Sequence, residues 1–182
     1  MDTTTTTEVA LVAVKVFENK EWSDIQKSIN AMYTHEARVG WFEKDVYPET
    51  GEPVASVAVK QEFGFVTQLP GTNKVAIVPP RPFIRPAITK NKSLIDKYID
   101  NNFKKVLDGS NTVEFALKLV SQLTRDLIQT EIKNLHEPAL SAYTIAQRLK
   151  KRKSKVVTDA IRKPLIDTGH MFKTVNYTVT KL

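Results

Sequence analysis

Residues 111–135 read NTVEFALKLVSQLTRDLIQTEIKNL, and this stretch decides the class of the fold. Ala116, Val120, Leu123, Leu127 and Leu135 recur at helical spacing, while Leu117, Leu119, Ile128 and Ile132 widen the apolar stripe. Asn111 or Thr112 stands where an N-cap belongs, and Glu114 falls in the first turn, where a negative charge suits the helix dipole. A stripe this broad serves two partners, a sheet on one side and a neighbouring helix or subunit on the other. Leu119, Leu123 and Leu127 are therefore candidate subunit contacts.

Upstream lies a second helical pattern. Pro86 suits its first position, Ile88, Ile95, Ile99, Phe103 and Val106 form the stripe, and Gly109 follows its end. Val78-Pro79-Pro80-Arg81-Pro82-Phe83-Ile84-Arg85-Pro86 leads into it. Pro79, Pro80 and Pro82 fix φ and extend the residues before them, which predicts a stiff strut. Phe83 would anchor that strut to the core, with Arg81 and Arg85 pointing elsewhere. A proline-rich ligand for a peptide-binding module is the competing reading, although such ligands are usually disordered and this one runs into a helix.

Further out, Val12, Val14 and Val16 alternate as in a first strand, and Ser23 is a candidate N-cap for a short helix bearing Ile25, Ile29 and Met32. Arg38 to Phe42 reads as a second strand, with Val39 and Trp41 on one side, and Pro48, Gly51 and Pro53 mark a loop or hairpin turn. Val54 to Phe63 suits a short helix stopped at Gly64, whereas Thr67 to Pro80 reads as loop. Tyr143 to Lys151 predicts a turn or two of helix, and Phe172 to Leu182 a closing strand with Val175, Tyr177 and Val179 on one face. These elements predict an α+β fold: a small mixed or antiparallel sheet built from N- and C-terminal strands, packed by two long helices, with extended loops or arms. Residues 1–8, with their threonine tract, are expected to be an arm, and residues 9–182 a single domain.

Composition narrows the function. The chain has 182 residues, 41% of them hydrophobic and 26% charged, enough for a core without metal or disulfide. It contains no cysteine, which removes thiol catalysis, Cys-based zinc sites and iron–sulfur clusters. The longest apolar run, Val9 to Val14, is too short to span a bilayer or serve as a secretory segment, so a soluble protein with no membrane partner is expected. The six glycines are isolated and form no phosphate-cradling loop, and His35, His136 and His170 have no ligating partner at helical spacing. No cofactor or metal site is expected.

The net charge of +7 is concentrated. Between Arg148 and Lys163 stand eight basic residues against Asp159 alone, so the rest of the chain sums to zero. Arg148, Lys150, Lys151, Arg152, Lys153 and Lys155 are thus candidates for contact with DNA phosphates or an acidic protein neighbour. The competing reading is a solvated loop extended by its own charges. No aromatic residue lies between Gln147 and Met171, which argues against a base-stacking platform. Leu165-Ile166-Asp167-Thr168-Gly169 has the lettering of an aspartic-protease motif, but only 13 residues follow it, too few to complete such a fold. The plainer reading makes Asp167 a turn cap and Gly169 a residue of positive φ.

One ordered set of residues carries a resemblance. Arg38-Val39-Gly40-Trp41-Phe42, Tyr47-Pro48, the stretch Val54 to Gly64 ending Glu62-Phe63-Gly64, Pro79 to Pro86, and Pro164 to Gly169 before a strand follow one another along the chain. Together they resemble the tail-completion or virion-morphogenesis proteins of tailed bacteriophages, the neck components between head and tail. The resemblance implies a small, non-enzymatic α+β subunit forming a ring, commonly a hexamer, at the head–tail junction or top of the tail. Such a ring joins neighbouring neck, portal-adaptor, tail-tube or sheath proteins and lets genomic DNA pass without reading its sequence. The implied location is the virion, with assembly in the host cytoplasm. Within that implication Pro80, Arg81, Pro82, Phe83, Arg85, Asp167 and Gly169 are candidate structural-motif residues. Gly169-His170-Met171-Phe172 departs from the pattern, which usually has a more polar residue after the glycine, as does the N-terminal threonine tract. A lumen-facing basic run would hold or lubricate DNA. An outward-facing one would dock an acidic neighbour, and a packed genome's need to leave quickly favours the second. The alternative function is a small nucleic-acid-binding protein acting through residues 148–163.

Overall fold

The computed structural model describes residues 20–182 apart from residues 70, 72, 154 and 155, with side chains from residue 22 onward. The predicted arm and the strand around Val12 to Val16 lie outside the described residues. The element that organises the described residues is the long helix α5 (Val113–Asn134), numbered after the four earlier helices among them. Thr112 is its N-cap, and the hydroxyl accepts the Phe115 N–H at 3.2 Å. Its broad stripe does meet two partners. One side packs on a two-stranded antiparallel sheet of β1 (His35–Gly40) and β4 (Asn176–Lys181). The other meets α3 (Ile84–Lys90) and α4 (Lys92–Leu107). The sheet register runs from His35 opposite Lys181 to Gly40 opposite Asn176, so Tyr177 and Val179 share the half-buried face and their neighbours face water.

Several boundaries differ from expectation for local reasons. Helix α1 (Lys20–Tyr33) begins before Ser23, which is interior and not a cap. The helix expected to run from Pro86 to Val106 is two helices. Asn91 interrupts it, and its side-chain amide donates to the Ala87 carbonyl at 2.9 Å in competition with the backbone. Phe172 belongs to the short helix α8 (His170–Thr174), so the closing strand starts only at Asn176.

Thr67 to Pro80 is not all loop. Helix α2 (Val54–Phe63) stops at Gly64 as expected, and β2 (Phe65–Gln68) then pairs antiparallel with β3 (Val75–Val78). This second hairpin forms its own two-stranded sheet. Two further short helices complete the set among the described residues, α6 (Ala142–Lys151), whose Ser141 cap accepts the Thr144 N–H, and α7 (Asp159–Arg162).

The main core gathers Val54 and Ala58 of α2, Phe83 and Ala87 at α3, Ile128 and Ile132 of α5, and Leu165, Met171 and Val175 from the C-terminal segment. Phe83 is fully buried, as the strut reading requires, and meets the Trp41 ring edge-on at 5.9 Å. Trp41 in turn donates its indole N–H to the Met171 carbonyl at 2.9 Å. A smaller cluster of Val106, Val113 and Ala116 joins α4 to the start of α5.

Candidate functional site

The proline strut is held by a carboxylate that carries no local sequence signal. Glu62, near the end of α2, is buried at 2% exposure. Its Oε2 accepts the backbone N–H groups of Phe83 (2.7 Å) and Ile84 (2.9 Å). Its Oε1 accepts from Arg85 twice, from the backbone N–H (3.2 Å) and from the side-chain Nε (2.9 Å). It therefore caps α3 from a separate helix, where the unpaired amides and the dipole favour a negative charge. Burial alone would push the Glu62 carboxyl up, but these hydrogen bonds outweigh burial and hold it below the ordinary glutamate value. Arg85, paired with Glu62, also lies 4.8 Å over the Phe63 ring. Gly64 lets the strut pass: with φ +76°, a Cβ there would sit 2.8 Å from both the Val78 carbonyl oxygen and the Pro80 nitrogen.

Arg81 does not point away from the core as expected. It is 5% exposed, and it donates from Nε to the Pro138 carbonyl (2.9 Å) and from Nη2 to the Ala139 carbonyl (3.1 Å). Its own N–H donates to the Gln61 carbonyl at 2.7 Å. The strut thus ties the end of α2 to the segment before α6. Pro80 closes on Gly64, while Pro82 simply continues the strut into the Phe83 anchor.

The basic run is divided by the fold. Arg148 turns inward: Nη1 donates to the carbonyls of Ile161 (3.0 Å), Lys163 (2.6 Å) and Ile166 (3.3 Å), and Nη2 to that of Pro164 (3.2 Å). Burial lowers its pKa from the usual arginine value, and one guanidinium satisfies four carbonyls of the 161–166 segment. Asp167 lies 3.6 Å from Arg148 Nε, 3.4 Å from Arg152 and 3.9 Å from Lys151, a shared counter-ion for three cations. Arg152 also donates to the Asp167 backbone carbonyl. Lys151 pairs with Glu49 at 2.8 Å. Lys150 and Lys153 are exposed and form no ion pair among the described residues, and Lys155 lies outside them.

Beside this cluster, Tyr47, Lys151, Asp167 and His170 line a cavity of about 220 Å³. Burial pushes the Tyr47 phenol up, with Glu52 and Asp167 adding to the effect. His170 Nε2 lies 2.9 Å from the Val46 carbonyl oxygen. Gly169 adopts φ +78°, the positive φ expected of it. No group of three metal-ligating side chains forms among the described residues, and none of their helices is long and apolar enough to cross a membrane.

Leu119, Leu123 and Leu127 are half-buried within the chain, and Leu127 packs against the main core. Large apolar side chains left more exposed than these include Tyr33, Phe63 and Leu182 as well as three residues of the β2–β3 hairpin. Val66 and Ile77 face each other across the β2–β3 ladder with Val75 on the same face, and they are 65%, 81% and 64% exposed. The short apolar run Val75-Ala76-Ile77-Val78 carries this signal in the sequence, but the prolines and glycine around it read as loop. Glu62 and Glu49 are the other participants that sequence reasoning missed, since nothing local marks an acid that will meet a base far along the chain. Compared with known proteins, the chain matches no family model, no curated sequence and no solved structure.

Proposed function

We propose that this chain is a non-enzymatic structural subunit of the head–tail junction of a tailed phage, assembled in the host cytoplasm into a homo-oligomeric ring. In the virion it would complete the neck or terminate the tail, contact neck, portal-adaptor, tail-tube or sheath neighbours, and let DNA pass. The observation that carries the reading is the β2–β3 hairpin, whose Val66, Val75 and Ile77 stand beside Gln68 on an uncharged, mostly apolar face left in water. A two-stranded ladder is marginal by itself, and an apolar patch of this kind marks a surface made to be covered. The ordered motifs behind the resemblance also converge, since Glu62, Phe63, Gly64, Pro80, Arg81, Phe83 and Arg85 form one interlocked unit. Such a unit suits a rigid assembly part.

Immunogold labelling of purified particles tests the proposal, combined with mass measurement of the isolated protein and of the protein bound to tails or capsids. Label at the neck and a ring mass support it. A protein absent from finished particles refutes it. The second reading, nucleic-acid binding through residues 148–163, rests on exposed Lys150 and Lys153 and is weakened by the inward turn of Arg148 and the pairing of Lys151 and Arg152. Replacing Lys150, Lys151, Arg152 and Lys153 with Gln should then abolish binding to duplex DNA. A wild-type protein that retains no DNA disposes of that reading.

A further inference from the structure

We propose that the groove between the β2–β3 hairpin and the start of α6 is a ligand site for a small amphiphilic anion, a carboxylate on an aliphatic body. The assignment goes beyond the assembly reading and does not depend on it. The groove measures about 700 Å³, within the range of small-molecule sites. Its walls are largely apolar, with Phe65, Leu69 and Val78 on the hairpin side and Leu140 and Tyr143 on the α6 side. Among the described residues its only charged lining groups are Arg81 and Arg148, and no carboxylate lines it. These two arginines are 5% and 9% exposed, so the guanidiniums lie at the floor and the apolar side chains nearer the mouth.

Charge selects the occupant. Arg81 forms no ion pair among the described residues; its side chain meets only the Pro138 and Ala139 carbonyls and, at 3.5 Å, the Gln61 amide oxygen. That spends three of the five N–H groups a guanidinium carries and leaves two for a carboxylate. Arg148 has Asp167 only as a counter-ion shared with Lys151 and Arg152. Burial lowers both arginines from their usual value, and the charge of Arg81 lowers Arg148 further. A buried cation with no counter-ion is costly, and an anion reaching the floor relieves that cost. The polar side chains of the groove are already engaged, Ser141 with Thr144 and Gln61 with Arg81. A peptide would bring an amide N–H and a carbonyl at every residue and find few partners here. An aliphatic carboxylate brings one charged head for the floor and an apolar body for the walls.

Titration calorimetry of the full chain with decanoate below its micellar range tests the assignment, with 1-decanol, acetate and acetyl-trileucine as comparison ligands. Decanoate should bind one to one, at least about tenfold more tightly than 1-decanol, and acetate should give no measurable heat. Tyr143→Glu sets a like charge at the mouth and should weaken decanoate binding by about tenfold more than Tyr143→Gln does. Tyr143 is 50% exposed, so both variants should keep the wild-type melting temperature, which separates lost binding from lost folding. Decanoate that fails to saturate, 1-decanol that binds equally well, or equal effects of the two variants overturns the assignment. Acetyl-trileucine bound in preference to decanoate identifies a protein segment as the occupant, and oligomers that decanoate disperses identify a second copy; either overturns it. None of these results bears on whether the protein labels the neck of particles, which tests the assembly reading separately.

Discussion

Replacing Glu62 with Gln isolates the interaction that ties α2 to α3. The carboxylate is 2% exposed and receives the Phe83 and Ile84 N–H groups at 2.7 and 2.9 Å. The substituted amide would keep one acceptor oxygen but turn an NH2 group toward donors from which it accepts nothing. The remaining oxygen can face Phe83 and Ile84, whose bonds to a neutral acceptor are each about 1 kcal/mol weaker than to an ionised one, and the Arg85 backbone N–H at 3.2 Å loses its acceptor for about 1 kcal/mol more, so the loss amounts to about 3 kcal/mol. The Arg85 pair adds little to this figure, because that side chain is 58% exposed and water replaces the carboxylate. For a chain of this size the loss corresponds to a fall of about 6–12 °C in melting temperature. Because Glu62 is held below its ordinary value in the folded chain, its contribution is fully present above the unfolded value. It is lost as pH falls through the folded one. The gap between wild type and Glu62→Gln should therefore be complete near neutral pH and narrow progressively below about pH 4.3. Urea denaturation followed by circular dichroism at several pH values measures both. A neutral-pH gap under about 1 kcal/mol, or one unchanged by acid, refutes the capping argument.

Three further outcomes follow from the same geometry. Gly64→Ala combines a positive φ with a Cβ 2.8 Å from two strut atoms, whereas Gly51→Ala has the positive φ and open space. Denaturation should show a loss of about 2 kcal/mol or more for the first and about 1 kcal/mol for the second; equal losses would rule out close approach of the strut. Arg148→Met strands four carbonyls and should cost about 3–5 kcal/mol, while Lys150→Gln in the same helix should leave the melting temperature unchanged. Phe83→Ala should cost about 3–5 kcal/mol and shift Trp41 fluorescence to the red, since the two rings pack edge to face; a blue or absent shift would contradict that packing.

Helix α5 was legible in the linear order of residues because its signals lie within a turn or two of one another. A threonine cap, an early glutamate and a broad 3.6-residue stripe need no distant partner to be recognised. The same holds for the stop of α2 at Gly64, the positive φ at Gly169, and the alternating faces of β4. The break at Asn91 was missed because it depends on one side chain outcompeting the backbone for the Ala87 carbonyl, a choice that helical periodicity does not encode. The hairpin was missed because Val75–Val78 is only four residues long and stands among turn formers. Its pairing with Phe65–Gln68 supplies the stability that the run lacks alone.

For the candidate site the division is sharper. Sequence alone predicted Phe83 as the anchor of a rigid strut and located the chain's excess charge between residues 148 and 163. Folding decided which of those charges remain available. It buried Arg148 against backbone carbonyls and brought Asp167 and Glu49 to the neighbouring cations, while elsewhere it buried Arg81 and assigned Glu62 to the amides of another helix. It also left Val66, Val75 and Ile77 of the hairpin more exposed than Leu119, Leu123 and Leu127 of α5. The physical reason is range. Caps, turns and amphipathic stripes are settled by neighbours along the chain, whereas the environment of a charge or a short strand is settled by whatever segment packing delivers beside it.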